Sequence, residues 1–217
     1  MHGAGLLLRF APRNDALKRE DSMTDAPRVL ILGIGNILWA DEGFGVRAVE
    51  AFHRAYDVPA NVTVLDGGTQ GLYLVNFLQD HDHLLVFDAI DYGLEPGTLK
   101  LVRGDEVPKF TGAKKMSLHQ TGFQEVLSAA DLLGAAPREL ALIGCQPLDL
   151  EDWGGALTEP VRGRIAESLA LACAILAEWG VVVAPRATPL PEGAALLAND
   201  IDHDHYERRE AAASPTI

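Results

Sequence analysis

The segment LGIGNILWADEGFGVRAVEAF (residues 32–52) has the pattern of a strand, a glycine turn and an amphipathic helix. The apolar run RVLILGIG (28–35) predicts a strand that is buried on both faces of a sheet. Apolar residues at helical spacing then predict a helix over 41–56. Turns of this kind often bind phosphate, but this one carries two acids, Asp41 and Glu42, which would repel an anion.

The rest of the chain repeats the alternation of strands and helices. Further strands are predicted at 62–68, 83–91, 99–104 and 140–147, and helices at 71–79, 119–134 and 159–180. This order predicts an α/β fold, a three-layer α/β/α sandwich around a twisted, mostly parallel sheet of about five strands. We expect one domain over 28–183, a polar N-terminal extension over 1–27, and a flexible tail over 184–217, which is rich in proline, alanine and charge.

Composition limits the class of partner. The 217 residues include 31 acids and 18 lysines and arginines, a formal net charge of −13, which argues against nucleic acid and against an anionic membrane surface. No apolar run reaches the roughly 20 residues of a membrane helix, so we expect a cytoplasmic protein. Both cysteines, Cys145 and Cys173, lie in apolar runs, which favours buried side chains over a disulfide or a catalytic thiol.

The glycine turn does not satisfy the rules for nucleotide binding. Leu38 stands where a dinucleotide-binding turn needs a third small residue, although Asp66, at the end of the second strand, imitates the acid that binds ribose. No lysine followed by serine or threonine comes after the glycines, so a P-loop is excluded. Trp39, beside the acidic turn, is either a core residue or an exposed contact for a peptide, and its place in a loop favours the contact.

Polar residues follow the ends of the predicted strands. Glu42, Asp66 and Asp88 end or follow the first three strands, and His119 begins the helix at 119–134. The carboxyl ends of parallel strands share one edge of a sheet, so these side chains should converge there. Two carboxylates and an imidazole are suitable ligands for a divalent transition metal such as zinc or nickel.

Each of these residues also has a purely structural explanation. Glu42 would favour the positive end of a helix dipole, Asp66 would suit the turn before two glycines, and His119 would cap its helix or fill the core. Asp88 is harder to explain in this way, because it lies inside the apolar strand LLVFDAI, where an unpaired carboxylate is costly to bury.

Five blocks of sequence resemble the NiFe-hydrogenase maturation endopeptidases, and they follow the family's order over 28–183. The blocks are GIGNILWADEGFGVRAVE, LDGGTQGLYLVNFL, HLLVFDAIDYGLEPGT, SLHQTGFQEVLSAADLLG and a final helix that begins L-T-x-P-V. The resemblance implies nickel ligands at Glu42, Asp88 and His119, and a candidate catalytic acid at Asp66.

The resemblance also implies a function. Such a hydrolase removes the C-terminal peptide of the NiFe-hydrogenase large-subunit precursor after nickel insertion, and it recognises the bound nickel. Two chemical routes are open: the three ligands hold a metal that activates water, or nickel arrives with the substrate while Asp66 or another acid acts as the base. The second route is favoured. The alternatives are a non-catalytic, nickel-dependent chaperone or checkpoint protein and a nucleotide-binding oxidoreductase.

Overall fold

The computed structural model describes residues 26–107, 118–188, 190, 194–197 and 201–202, with the backbone alone for 118–121. The strands are β1 Val29–Ile34, β2 Tyr56–Asp57, β3 Val62–Gly68, β4 His83–Ala89, β5 Leu99–Arg103, β6 Glu139–Cys145 and β7 Ala184–Pro185. The helices are α1 Phe44–Ala55, α2 Val75–Gln79, α3 Leu118–Leu132, α4 Glu159–Arg162 and α5 Ile165–Glu178. Short 3₁₀ turns span Ala40–Gly43, Gly71–Leu74 and Gly104–Glu106.

Five strands form the central sheet in the order β3-β1-β4-β6-β5. The first four run parallel, and β5 runs antiparallel to β6 at one edge. The predicted α/β sandwich with a mostly parallel sheet of about five strands is therefore confirmed. Within the described residues no helix is long and apolar enough to cross a membrane.

Each face of the sheet supports its own apolar core, which explains why the central strands are apolar throughout. In β1, Val29 and Ile31 pack with α1 and α5 on one face, whereas Leu30 and Leu32 pack with α2 and α3 on the other. The same alternation in β4 assigns Leu84 and Val86 to the α2/α3 face. The side chain of the next residue of that parity in β4, Asp88, therefore points to the α2/α3 face.

The glycines of the first turn let α1 approach the sheet. A Cβ atom on Gly45 would overlap the carbonyl oxygens of Ile34 and Phe87, and one on Gly33 would overlap the carbonyl oxygen of Gly45. Gly35, whose φ is 138°, lies against the carbonyl oxygen of Glu42. These positions need glycine for close helix–strand contact, so the glycine pattern has an explanation that requires no phosphate.

The helix predicted over 159–180 is interrupted. It forms as α4 and α5, which are separated by Gly163 and Arg164. Thr158 precedes α4 with an extended backbone, and its carbonyl accepts hydrogen bonds from the amides of Val161 and Arg162. Its hydroxyl does not cap the helix and bonds instead to Asp41, 2.9 Å away.

Part of the segment predicted as a flexible tail, 184–217, contacts the domain among the residues that the structure describes there. β7 pairs with β2 in a two-stranded antiparallel sheet. Arg186 forms an ion pair of 2.5 Å with Asp57, and Asp202 forms one of 3.1 Å with Arg54 of α1. The packed domain thus extends past residue 183, while residues 1–25 of the predicted extension and 203–217 of the predicted tail lie outside the described residues.

Candidate active site

Three of the predicted site residues lie at the carboxyl edge of the sheet. Glu42 is in the 3₁₀ turn after β1, Asp66 is near the end of β3, and Asp88 is the penultimate residue of β4. Strand register places the backbones of Asp66 and Asp88 one residue apart, because Gly33 pairs with Asp66 on one side and with Phe87, the residue before Asp88, on the other. The side chain of Asp66 therefore points to the α1/α5 face of the sheet, whereas that of Asp88 points to the α2/α3 face. The fold therefore brings these three backbones to one edge, as the alternation of strands and helices predicts.

Asp88 is a buried acid on an otherwise apolar sheet face. Its residue exposure is 1 %. Burial raises the pKa of its carboxyl group well above the usual value, an amide hydrogen bond from Ala89 opposes this rise, and the nearby charge of Glu42 adds to it. Opposite Asp88 in β6 is Gly144, and the ring of Tyr92 fills the space that a side chain would occupy there. Asp88 therefore holds a proton far more readily than an exposed aspartate.

Glu42 is half-buried at the mouth of the same edge. Burial raises the pKa of its carboxyl group from 4.5 to about 7. A carboxyl group with that pKa exchanges protons at neutral pH, which is the range in which general acids and bases work best. Glu42 also contributes to the rise in the pKa of Asp88, so the two carboxyl groups interact electrostatically.

Asp66 has the role in the turn that its neighbouring glycines indicate. Its Oδ1 accepts a hydrogen bond of 2.9 Å from the amide of Gly68, and its carbonyl accepts one of 3.1 Å from the side chain of Gln70. Burial raises the pKa of the Asp66 carboxyl group, and the Gly68 amide partly opposes the rise. The charges of Glu50 and Arg47 in α1 also act on this partly buried acid, in opposite directions.

His119 lies in the first turn of α3, and its side chain is outside the described part of the structure. The start of α3 faces the turn after β3, since a Cβ atom on Gly122 would lie 3.9 Å from the Cα atom of Gly71. Among the side chains that the structure describes, no group of three or more histidines, cysteines, aspartates or glutamates forms a metal cluster. The assignment of Glu42, Asp88 and His119 as ligands remains a prediction.

Asp41, the neighbour of Glu42, has a structural role that the sequence does not reveal. It is fully buried. Its Oδ2 accepts hydrogen bonds from the amides of Leu148 and Asp149 and from the hydroxyl of Thr158, at 2.8, 3.0 and 2.9 Å, and its Oδ1 accepts one of 2.7 Å from the amide of Thr158. One carboxylate thus ties the turn that carries Glu42 to the loop between β6 and α4.

Gln146 organises the loop that follows Asp88, and sequence reasoning also missed it. Its Oε1 accepts hydrogen bonds from the amides of Tyr92 and Leu94, at 2.8 and 3.1 Å, and its Nε2 donates to Oδ1 of Asp91 at 3.0 Å. The only signal in the sequence is a polar residue directly after a buried strand, which is too common a pattern to identify it.

Comparison with known proteins settles which family this geometry belongs to. The profile of the hydrogenase maturation protease family (HycI) matches residues 46–175. The hydrogenase expression/formation protein HupD of Bradyrhizobium diazoefficiens is 76 % identical over 184 residues, which are 85 % of this chain and 96 % of HupD. The chain belongs to the hydrogenase maturation protease family.

More distant members of the family support the same assignment. The hydrogenase 2 maturation protease of Escherichia coli is 44 % identical over 161 residues, covering 73 % of this chain and 96 % of that protein. The solved structure of the hydrogenase maturating endopeptidase HybD from E. coli matches with a TM-score of 0.70 and 42 % identity, over 74 % of this chain and 98 % of HybD. Sheet, layers and family therefore agree, and the family is one of peptidases, which are hydrolases.

The match to the family profile covers most of the candidate site. Residues 46–175 include Asp66, Asp88 and His119, whereas Glu42 precedes the matched span by four residues. Membership in a protease family leaves the nucleotide-binding alternative without support, in agreement with the acids in the glycine turn.

Proposed function

We propose that this protein is a nickel-dependent endopeptidase that removes the C-terminal peptide of a NiFe-hydrogenase large-subunit precursor. The observation that carries the proposal is the pair of carboxyl groups with raised pKa values, Glu42 and Asp88, at the carboxyl edge of a hydrogenase maturation protease fold. Acids with raised pKa values that meet at the edge where such sheets place their sites are candidates for function.

The nickel belongs to the substrate in this proposal, because it arrives with the precursor. Glu42 and Asp88 supply oxygen ligands, and His119 supplies an imidazole in the first turn of α3. This is a donor set that divalent first-row metals accept. Contact between these residues and the nickel would make cleavage depend on nickel insertion, and it would orient the peptide that follows the metal site.

Asp66 is the candidate base for hydrolysis. The amide of Gly68 holds its Oδ1 at 2.9 Å, which orients Oδ2 for a water molecule. Asp66 would accept a proton from that water as the oxygen attacks the scissile carbonyl carbon. It would then return the proton to the leaving amine as the C–N bond breaks. Its raised pKa makes it a better proton acceptor than an exposed aspartate.

The direct test is cleavage of the purified precursor with and without nickel. We expect the nickel-loaded large-subunit precursor to become shorter on a denaturing gel, with mass spectrometry locating a single cut, and the nickel-free precursor to remain intact. A protein that binds the loaded precursor without shortening it would be a checkpoint protein, and the peptidase proposal would then be wrong.

A charge-removing variant separates the site role of Asp88 from a folding role. Asp88→Asn keeps the volume and removes the cost of burying a charge, so its melting temperature should equal or exceed that of the wild type while the loaded precursor stays uncut. His119→Ala should also fail to process the precursor. Glu106→Gln, an exposed acid in the 3₁₀ turn after β5, is the matched control and should cut normally. Processing by Asp88→Asn at the wild-type rate would remove Asp88 from the site.

A further inference from the structure

Four apolar residues lie in the two loops beside Glu42, and we call them the rim: Leu38, Trp39, Leu148 and Trp153. Leu38, Leu148 and Trp153 are 36, 58 and 63 % exposed, and Trp39 is half-buried. Contiguous exposed apolar surface on a folded protein commonly marks an interaction site, and tryptophan is enriched where binding energy concentrates. The fold itself does not need these side chains in the core.

The rim is rigid because two loops are joined beneath it. The rings of Trp39 and Trp153 meet edge to face with centroids 4.9 Å apart, and their backbones form an isolated β-bridge. The amide of Gly154 donates to the carbonyl of Leu38 at 2.8 Å, and the Asp41 carboxylate holds the amide of Leu148 at 2.8 Å. A surface that is already ordered loses little conformational entropy when a partner binds.

The rim adjoins the proposed cleavage site. The amide of Glu42 donates a hydrogen bond of 2.8 Å to the carbonyl of Trp39, so the two residues share one turn. A polypeptide bound at Glu42 would therefore lie close to Trp39. The apolar surface is therefore placed to contact the residues next to the scissile bond.

The charges in the loops around the rim indicate the sign of the charge on its partner. The three loops at this edge, 35–42, 90–98 and 146–158, contain seven acids and no lysine, arginine or histidine. Lys100 lies 4.7 Å from the centre of the Tyr92 ring, and Arg162 donates to the carbonyl of Leu157, so these two cations adjoin the loops. Counting them with the three lysines of 108–117, which lie outside the described part of the chain, leaves an excess of two acids. Such a field attracts cationic groups and repels anionic ones.

We propose that the rim binds a segment of the substrate polypeptide in which apolar side chains alternate with, or are flanked by, lysine or arginine. The segment lies beside the scissile bond, with its apolar groups on Trp39 and Trp153 and its cations facing the acids of the three loops. This proposal rests on the proposed peptidase function and adds the chemistry by which the substrate is chosen.

The first experiment measures processing of the nickel-loaded precursor as a function of its concentration. Trp153→Ala and, independently, Glu151→Lys should raise KM by about tenfold while kcat stays within about twofold of the wild type, because both act on binding and not on the reacting atoms. The matched controls are Leu132→Ala and Glu106→Lys, an exposed leucine and an exposed acid at the opposite edge of the sheet, and their KM should be unchanged. Melting temperatures confirm that each variant is folded.

The second experiment measures binding without cleavage, so that it stands even if the peptidase proposal fails. A fluorescent heptapeptide of alternating valine and threonine with a lysine at each end should bind the wild type, as read by anisotropy. The same peptide with glutamate ends should bind at least about tenfold more weakly. Added salt should weaken binding of the lysine peptide and should not weaken binding of the glutamate peptide. Trp153→Ala should weaken binding of the lysine peptide.

The outcomes separate the two proposals. A wild type that cuts the loaded precursor while the rim variants keep the wild-type KM overturns the rim proposal alone. A wild type that never cuts overturns the peptidase, and the peptide titration then decides the rim. Equal binding of the lysine and glutamate peptides overturns the rim proposal. It is also overturned if light scattering shows a dimer that Trp153→Ala converts to a monomer, because the occupant would then be a second copy of this chain.

Discussion

Replacing Asp41 should reveal how strongly a single carboxylate holds the active-site loops together. Asp41 is fully buried and accepts four hydrogen bonds, three from backbone amides and one from the hydroxyl of Thr158. In Asp41→Asn, one oxygen can keep the three bonds of Oδ2, but the new NH₂ group then points at the amide of Thr158. Two donors face each other and the charge that strengthened the other bonds is lost.

The expected cost follows from these contacts. A hydrogen bond to a charged group contributes about 1.5–3 kcal/mol and an orphaned buried donor costs about 1–3 kcal/mol, so Asp41→Asn should lower the free energy of unfolding by roughly 2–4 kcal/mol. In a domain of this size each kcal/mol lowers the melting temperature by about 2–4 °C.

Urea denaturation, fitted with one m-value for wild type and variant, measures the change in the free energy of unfolding, and the melting temperature is recorded in parallel. Asp149→Asn is the matched control, because Asp149 lies in the same loop, is partly exposed, and its side chain accepts hydrogen bonds from the nearby amides of Glu151 and Asp152. It should cost about 1 kcal/mol or less. If Asp41→Asn were as stable as the control, the four bonds would not be the device that fixes the loop, and the reasoning would fail.

Three further predictions follow from the packing and from the pKa values. The pKa of Glu42 is higher in the folded protein, about 7 against 4.5, so stability should fall as pH rises from 4.5 to 7. The free energy that corresponds to this pKa shift is halved to allow for solvent screening. Glu42→Gln should therefore be more stable than the wild type by about 1–2 kcal/mol at pH 8 and equal to it at pH 4, as measured by urea unfolding at both pH values. Gly45→Ala places a methyl group on two backbone carbonyls and should cost about 3 kcal/mol or more in thermal unfolding. Gly122→Ala should be neutral or stabilising, because its methyl group makes only an ordinary contact, 3.9 Å from the Cα atom of Gly71. Truncation after Val183 removes β7 and the contacts of Arg186, and it should lower the free energy of unfolding by about 2 kcal/mol. Truncation after Asp202 keeps every described contact and should leave stability unchanged. Equal melting curves for the two truncated proteins would refute the packing of this segment.

The sequence was sufficient for the sheet because the strands are apolar along their whole length. The strand formed by a run such as RVLILGIG has apolar side chains on both faces, and both faces must be buried. Burial on both faces implies helices on both sides of the sheet and parallel strands. The carboxyl edge follows from that topology, and with it the arrival of the backbones of Glu42, Asp66 and Asp88 at one edge of the sheet. The helix over 159–180 was predicted as one element because its apolar spacing continues across Gly163, where the structure breaks it.

Other features depend on partners that local patterns do not show. Asp41 and Glu42 are adjacent acids in one 3₁₀ turn, and only the first turns inward, towards an amide that lies 107 residues away in the chain. The C-terminal segment has the composition of a tail, yet Arg186 reaches back to the carbonyls of His53 and Tyr56. A single long side chain of this kind leaves the average composition unchanged, so composition could not have identified it.

The raised pKa values of Glu42 and Asp88 have a consequence for any cation that these two carboxyl groups bind. If these two acids bind the nickel of the precursor, as proposed, the cation would displace protons from them, and its apparent affinity should rise as the medium becomes more alkaline. The displaced protons would then be released at the carboxyl edge of the sheet as the proposed substrate binds. Titration calorimetry in buffers with different ionisation enthalpies would count them, and a count of zero would show that the cation enters without exchange.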